Sequence, residues 1–220
     1  MKKLLAVALL STTMLAGAAS AEGDFFVQGN LGASTTKGLN SKLSLDRTVA
    51  GKTNSYTKSD NLGTSALIGL EAGAKVHEHV RVSINLDYRP GYSQKYTTNF
   101  GDIKAKVKTL SSMFNVYYDI TEVNGFTPYI TVGAGIARNE MKMENTNSSG
   151  YKKKNTGFAY KVGFGTKYAM SQDFDLDLRY QYVDLGKAKF EGTEKDIKIT
   201  NTKAYKLRAH ELLVGVAYKF

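Results

Sequence analysis

Apolar and polar residues alternate along most of the chain, and this period of two constrains the fold more than any other feature. The clearest run places Val80, Val82, Ile84, Leu86 and Tyr88 at every second position, with polar or charged residues between them. Successive side chains of a β-strand point to opposite faces, so such a segment has one apolar and one polar face. The alternation predicts an all-β protein.

Eight segments of this kind are recognisable, centred near residues 29, 70, 84, 116, 133, 163, 178 and 214. Long and short connections alternate between them, which in an antiparallel sheet places three short turns at one end and four long loops at the other. Long loops are predicted at Ser34–Gly63, Arg89–Lys106, Arg138–Thr156 and Asp184–Leu207. The pattern predicts an eight-stranded antiparallel up-and-down transmembrane β-barrel with short periplasmic turns and four long extracellular loops.

A soluble eight-stranded barrel of the lipocalin type would show the same alternation, with its apolar face turned inward around a ligand. The composition of the two faces favours the membrane barrel. The polar face combines charges of both signs with glycines, which suits a narrow lumen, whereas glycines on a water-facing wall would weaken strands without a packing reason. The apolar face carries tyrosines toward the strand ends, where their amphipathic rings suit the lipid–water interface.

Ion pairs across the lumen are expected from the charged residues of the polar face. Asp175 and Asp177 have the spacing of a calcium-loop fragment but lack its glycine and distal glutamate, so pairing with Lys161 or Arg179 is expected instead. The full set of candidates for lumen ion pairs is Glu71, Lys75, Arg81, Asp87, Lys161, Asp175, Asp177, Arg179 and Glu211.

The first residues have the composition of a secretory signal. Met1-Lys2-Lys3 is positively charged, Leu4–Leu10 is apolar, and Ala19-Ser20-Ala21 fits the small-residue rule for cleavage before Glu22. The apolar stretch is too short to cross about 30 Å of hydrocarbon, which disfavours a membrane helix. We therefore expect residues 1–21 to be a signal peptide and residues 22–220 to form the barrel. Export of a chain without cysteine points to a Gram-negative envelope.

The formal net charge of +10 is concentrated in the predicted loops. The four loops carry +3, +3, +3 and +2, and the rest of the chain after residue 21 carries −3. The densest point is Lys152-Lys153-Lys154, preceded by Tyr151. Basic loops of this kind, gathered at one end of the barrel, are expected to attract an acidic partner. The candidates are a host surface protein, a glycosaminoglycan and the phosphates of neighbouring lipopolysaccharide. The alternative is a solvated loop that only keeps the surface soluble.

The sequence predicts no catalytic, cofactor or metal site and no nucleic-acid partner. With no cysteine, only His77, His79 and His210 could act as imidazole bases or ligands. His77 and His79 share a short turn in which Glu78 is the only candidate for a third metal ligand. His210 lies on the apolar face, where a Ser-His-Asp assembly is hard to build. No nucleic-acid-binding motif appears.

Two short motifs carry a resemblance to a known family. The strand Val214–Phe220, apolar at alternate positions including Tyr218 and Phe220, resembles the signal read by the outer-membrane barrel assembly machinery. The segment Phe126-Thr127-Pro128-Tyr129, leading into Val132-Gly133-Ala134-Gly135, resembles the fourth-to-fifth strand hairpin of the opacity-like family of small eight-stranded outer-membrane proteins. Within that family, the general layout and the lysine- and asparagine-rich loops are similar to small rickettsial surface adhesins.

The resemblance implies an outer-membrane barrel whose exposed loops bind host proteins or cells, and it carries over no binding residue. A surface adhesin is therefore the preferred hypothesis. A structural or narrow-pore membrane protein is the first alternative, although eight strands leave an interior only wide enough for side chains. An enzyme or a soluble lipid carrier is the third possibility.

Overall fold

The computed structural model describes residues 25–36, 41–49, 52–60, 63–98, 101–145, 148–188, 191–194, 197–200 and 205–220. The predicted signal peptide, residues 1–21, lies outside the described residues, and its removal stays a prediction. Within the described part, the chain forms twelve β-strands. They are β1 (Phe25–Thr35), β2 (Ser41–Val49), β3 (Lys52–Asp60), β4 (Thr64–His77), β5 (Val80–Thr98), β6 (Gly101–Asp119), β7 (Phe126–Asn145), β8 (Ser148–Ala169), β9 (Phe174–Ala188), β10 (Glu191–Glu194), β11 (Ile197–Thr200) and β12 (Tyr205–Lys219).

Eight of these strands close into an antiparallel barrel in the order β1-β12-β9-β8-β7-β6-β5-β4. Strand β1 completes the barrel by pairing with β4 on one side and with β12 on the other, so that Phe26 is opposite both Gly73 and Lys219. Neighbouring barrel strands are otherwise consecutive in the chain, apart from the segments inserted in the long connections. The prediction of an eight-stranded up-and-down barrel is confirmed.

The apolar face of the alternation lies on the outside of the barrel. Leu70 and Phe158 are 68% and 67% exposed, whereas their charged neighbours on the other face, such as Glu71, are buried. A surface formed by rows of exposed Leu, Ile, Val and Phe side chains is stable only against lipid, because water would solvate it poorly. The inward apolar face of the lipocalin alternative is therefore excluded. None of the described residues forms a helix long and apolar enough to cross a membrane.

Aromatic rings border the exposed apolar surface at both ends. At the end with short turns, which we call the short-turn end, Phe126 packs on Tyr168 and Phe174 on Tyr218, with ring centroids 4.7 and 5.2 Å apart. Toward the other end, the long-loop end, the Tyr180 hydroxyl lies 2.7 Å from His210 Nδ1. Rings with a polar tip are suited to the two lipid–water interfaces, so they define the height of the lipid-facing band.

The long connections differ from the prediction because their described parts are strands. β5 continues to Thr98 and β6 begins at Gly101; likewise, β7 continues to Asn145 and β8 begins at Ser148. Each pair therefore forms a hairpin that extends beyond the lipid-facing band. Strands β2, β3, β10 and β11 form a separate sheet in the order β10-β11-β2-β3. The polar composition therefore marks where the chain leaves the lipid and does not mark where strand pairing ends.

Candidate functional site

Charged and aromatic side chains occupy the lumen in layers, beginning with an ion cluster at the short-turn end. Arg81 donates from Nε and Nη2 to the two carboxylate oxygens of Asp119 at 2.7 and 2.8 Å, and Lys167 Nζ lies 3.2 Å from Asp119 Oδ2. The Arg81 guanidinium also lies over the rings of Tyr117 and Tyr129, 4.5 and 5.2 Å from their centroids. A bidentate carboxylate contact combined with ring stacking holds the arginine in one orientation.

The middle layer is centred on Glu71. Its carboxylate accepts hydrogen bonds from Tyr117 Oη, from Ser83 Oγ at 2.7 Å and from Arg179 Nη1 at 3.1 Å. Arg179 also donates from Nε to Tyr129 Oη, whose hydroxyl in turn donates to Asp177 at 2.6 Å. The carboxylate of Glu71 is therefore compensated by a cation and two hydroxyl donors although it is buried.

The third layer joins five strands through Glu211. This carboxylate accepts bonds from Arg89 Nε and Nη2 at 2.6 and 3.0 Å, from Ser34 Oγ at 2.6 Å and from Gln181 Nε2 at 2.6 Å. Ser34 is also hydrogen-bonded to the hydroxyl of Tyr92 at 2.6 Å, and Arg89 donates to Ser111. The strands of the barrel are thus linked across the lumen as well as around the wall.

An apolar layer continues from the third layer toward the long-loop end. It includes Tyr92, Val107, Met113, Ala137, Ala159, Val183, Leu185, Leu207 and Ala209, all buried. These residues keep the inward parity of the alternation, apart from Tyr92, which faces inward after a register shift between Arg89 and Tyr92, and they place mainly hydrocarbon where water could otherwise enter. Ionic layers covered by an apolar layer leave the lumen filled with side chains.

The predicted lumen residues fall into three groups. Glu71, Arg81, Asp177, Arg179 and Glu211 are buried and hydrogen-bonded or ion-paired as described above. Asp87 is also buried and accepts a hydrogen bond from Asn85, with Arg89 Nη2 at 3.7 Å. Lys161 is buried without an ion pair within 4.0 Å among the described residues, and Lys75 is exposed at the short-turn mouth.

The expected pairing with Lys161 or Arg179 is confirmed for Asp177, whose Oδ1 lies 3.4 Å from Arg179 Nη2, and is wrong for Asp175. Asp175 accepts a hydrogen bond from Lys219 Nζ at 2.8 Å instead. Asp175 is opposite Ala217 in the register, so it lies at the mouth beside Lys219 and below the layer of Arg179. Lys75 and Lys219 line a cavity of about 60 Å³ at this mouth.

Several residues that hold the lumen together were not among the predicted candidates. The main ones are Arg89, Tyr92, Tyr117, Tyr129 and Lys219, whereas Asp119 and Lys167 belong to the charged face that the alternation predicts for the lumen. Most of them lie at the same alternate strand positions as the predicted lumen residues, so the alternation itself indicates that they face inward. Arg89 falls at the start of a predicted loop. Tyr117 and Tyr129 have inward parity although the prediction associates tyrosine with the lipid-facing side, and Tyr92 faces inward only because the register shifts between Arg89 and Tyr92.

The predicted binding patch lies on the β7–β8 hairpin beyond the lipid-facing band. The side chains of Tyr151, Lys152 and Lys153 lie outside the described residues, whereas Lys154 is exposed, with Nζ 3.5 Å from Glu140 Oε2. The register brings further lysines from the neighbouring strands to this region. Lys142 is opposite both Lys106 and Lys152, and Glu140 is opposite both Lys108 and Lys154. The basic residues are therefore distributed over three adjacent strands.

The predicted assembly signal lies at the short-turn end of β12. Tyr218 and Phe220 are exposed, and their ring centroids are 5.9 Å apart. The backbone of Phe220 also closes the barrel, because its N–H donates to the carbonyl of Phe25 at 3.0 Å. Both rings belong to the aromatic border of the lipid-facing surface.

A closed eight-stranded barrel with an apolar exterior and an ion-paired lumen defines the class of outer-membrane β-barrel proteins. The family model described as the outer membrane protein beta-barrel domain matches residues 4–220, so the chain belongs to that family. The protein is thereby located in the outer membrane of a Gram-negative bacterium. The resemblance to small outer-membrane barrels drawn from the sequence is confirmed.

Two curated proteins are similar to the chain over its whole length. Outer membrane protein PagN of Salmonella typhimurium is 28% identical over 243 residues and covers 100% of both chains. A candidate adhesin of Rickettsia prowazekii is 22% identical, with 99% of each chain covered. Neither identity is high enough to transfer individual binding residues.

Two solved structures share the fold. OprG from Pseudomonas aeruginosa is 19% identical, covers 90% of this chain and 96% of its own, and superposes with a TM-score of 0.59. Neisserial surface protein A is also 19% identical, covers 89% of this chain and 97% of its own, and gives a TM-score of 0.51. At such identities the likeness concerns the fold alone.

We expect the purified barrel to form no discrete channel in planar lipid bilayers, because the ionic and apolar layers fill the lumen. A porin reconstituted in the same bilayers provides the positive control for current steps. Regular open steps in the unmodified protein would contradict the filled lumen.

Proposed function

We propose that the protein is a surface adhesin whose basic extracellular hairpins bind an acidic partner, either a host surface protein or a glycosaminoglycan. The observation that carries the proposal is the convergence of lysines from β6, β7 and β8 on one hairpin region outside the lipid-facing band. The adhesin name of the rickettsial relative supports the same assignment.

The hairpin extends far enough to be accessible from outside. Ile136 on β7 and Phe158 on β8 are opposite each other and, among the side chains that the structure describes, are the outermost exposed large apolar residues of these strands. β7 continues to Asn145, and at about 3.3 Å per residue its end lies roughly 30 Å further along the strand. Since strands of such barrels tilt by about 45°, the hairpin rises on the order of 20 Å above the band.

The charge of this region suits an acidic partner. Lys106, Lys108, Arg138 and Lys154 are described there with a single acidic residue, Glu140, on the same outward face. Clustered charges of one sign attract an oppositely charged partner over about 8–10 Å at physiological salt and accelerate encounter. The filled lumen, by contrast, gives no support to the narrow-pore alternative.

Beads coated with the purified barrel should adhere to host cells, and replacing Lys152, Lys153 and Lys154 with glutamine should reduce adhesion severalfold. Added heparin should compete with the unmodified protein and have little further effect on the triple variant. A matched single comparison is Lys154→Gln against Lys75→Gln, which removes the same charge from the opposite mouth. Unchanged adhesion of the triple variant would rule out this electrostatic mechanism.

For the assembly signal, we propose that the exposed rings of Tyr218 and Phe220 are recognised by the barrel assembly machinery. Their exposure and mutual stacking on the last barrel strand support this role. Phe220→Ala should lower the amount of folded barrel in the outer membrane, measured by heat-modifiable gel migration, more than Ile120→Ala does. Equal yields of the two variants would contradict it.

A further inference from the structure

Strand β8 leaves the closed wall of the barrel at a defined residue. Its pairing with β9 begins at Tyr160, opposite Asp184, and continues to Ala169, opposite Asp175. On the other side, its register with β7 extends up to Ser148. In the described part of the chain, the segment of β8 before Tyr160 is therefore paired in register with β7 alone and forms a sheet edge.

The register also shows which main-chain groups face this edge. Ala169 donates its N–H to Gly125 at the β7 side, and the register with β7 is unbroken from Tyr168 to Tyr151. In an antiparallel pair, hydrogen-bonded and non-hydrogen-bonded positions alternate. Odd-numbered residues of β8 therefore bond to β7, and the N–H and C=O groups of Lys152, Lys154 and Thr156 face the side where β9 would lie.

The register and one glycine mark where β9 parts from this edge. The register with β8 ends at Asp184, and Gly186 follows with a φ of +79°, a conformation that glycine adopts without strain, and donates its N–H to Asp184 Oδ1 at 2.9 Å. Gly186 still lies against β8, because a Cβ at this position would be 2.8 Å from the carbonyl oxygen of Phe158. After it, Ala188 pairs with β12, so the part of β8 without a described partner on this side is the segment before Gly157.

The edge begins where the lipid-facing band ends. Tyr160 is the first residue of β8 in register with β9, and Phe158 is the outermost large apolar residue among the described side chains of the strand. Unpaired main-chain groups within hydrocarbon would each cost several kcal/mol, so the wall must be closed at that depth. Beyond it the edge is in water and accessible to a partner strand.

We infer that residues Lys152–Thr156 of β8 accept an extended acidic segment of a partner protein as an additional strand. Main-chain pairing at an exposed edge is a common mode of peptide recognition. The Lys154 side chain is exposed on this strand, and two further lysines directly precede it in the sequence, so an incoming strand with carboxylates meets a segment of opposite charge. The inference rests on the proposed adhesin function and specifies the chemistry of its partner.

A second copy of this chain is the less favourable occupant. Pairing two β8 edges would bring lysines of one copy against lysines of the other, and like charges opposite each other destabilise a strand pair. Edge lysines also discourage apolar strands from adding, which protects the protein from aggregation. Charge complementarity therefore selects an acidic strand among the possible partners.

Two synthetic peptides of equal charge test the inference with the full-length barrel in detergent micelles. Both consist of alternating glutamate and threonine, and the second carries N-methyl groups on alternate residues, so that one edge of it cannot donate. Fluorescence anisotropy should show that the N-methylated peptide binds about tenfold more weakly, as expected for the loss of two or three main-chain hydrogen bonds. Equal binding of the two peptides would overturn strand addition.

The matched variants are Thr156→Pro, which removes an N–H that faces the edge, and Thr156→Val, which keeps it. Proline is tolerated on an edge strand when its nitrogen faces outward, so Thr156→Pro should retain heat-modifiable migration while binding the unmethylated peptide about tenfold more weakly. Thr156→Val should bind like the unmodified protein. Equal binding by the proline variant would overturn the inference.

Amide hydrogen exchange on the unmodified protein gives a test that does not depend on the folding of a variant. Bound unmethylated peptide should slow exchange at Lys154 and Thr156, and unchanged exchange at both would overturn the inference. The proposed function can survive that result. If Lys152, Lys153 and Lys154 are needed for cell adhesion but Thr156→Pro adheres normally, the partner is held by charge alone.

Discussion

Replacing Glu211 with glutamine is expected to destabilise the barrel by about 3–5 kcal/mol, the usual cost of breaking a buried ion pair from one side. Glutamine keeps the size of the side chain but removes the charge that compensates Arg89. The arginine donates two hydrogen bonds to Glu211 and is completely buried, so it cannot turn to water. The remaining nearby carboxylate, Asp87, is 3.7 Å away and is already bonded to Asn85.

The free energy of unfolding in urea, measured with the barrel in micelles or bilayers, tests this effect. Glu140→Gln provides the matched control, because it makes the same substitution in an ion pair whose partner, the Lys154 side chain, is 47% exposed, and it should cost at most about 1 kcal/mol. Replacing Arg89 together with Glu211 by glutamine should recover part of the loss, since the guanidinium that lost its main carboxylate partner is then removed as well. Similar costs for Glu211→Gln and Glu140→Gln would contradict the role assigned to the lumen.

An arginine placed on the lipid-facing surface should also lower the free energy of unfolding strongly, second only to the loss of Glu211. Val162 lies on the outward face near the middle of the lipid-facing part of β8 and is 51% exposed. A guanidinium at the bilayer midplane costs about 2–4 kcal/mol, and this cost falls to about 0–1 kcal/mol near the interfaces. We therefore expect Val162→Arg to destabilise the barrel in lipid bilayers by about 2–4 kcal/mol.

Thr156→Arg is the depth control for this measurement, because it lies on the same face of the same strand beyond Phe158. It should change the unfolding free energy by less than about 1 kcal/mol. Equal destabilisation at both positions would mean that the band of exposed apolar residues does not lie in lipid.

Parity along the strands is the part of the structure that the sequence predicts well. Because a strand has only two faces, the alternation in Val80–Tyr88 separates Arg81 and Asp87 from Ile84, and the composition of the two faces indicates that the charged face is the inner one. The spacing of the segments then predicted the antiparallel order. These features depend on neighbours in the chain and need no knowledge of the stagger between strands.

The pairing of charges depends on that stagger and could not be predicted. Lys161 and Asp175 are both inward residues, but the register places Lys161 opposite Val183 and Asp175 eight residues lower, where Lys219 is nearer. The sheet formed by β2, β3, β10 and β11 also joins segments far apart in the sequence. Hydropathy gave no sign of it, because all four strands are polar and lie outside the lipid-facing band.

The pairing of β1 with β12 has a consequence for the time course of folding. Phe26 and Lys219 become neighbours although almost the entire described chain separates them, so the last barrel contacts have the largest sequence separation. Contacts of this kind form slowly, and a barrel that lacks them has two strands with unpaired main-chain groups, which lipid does not tolerate. We therefore expect membrane insertion and barrel closure to occur in a single cooperative step whose rate is set by the meeting of β1 and β12.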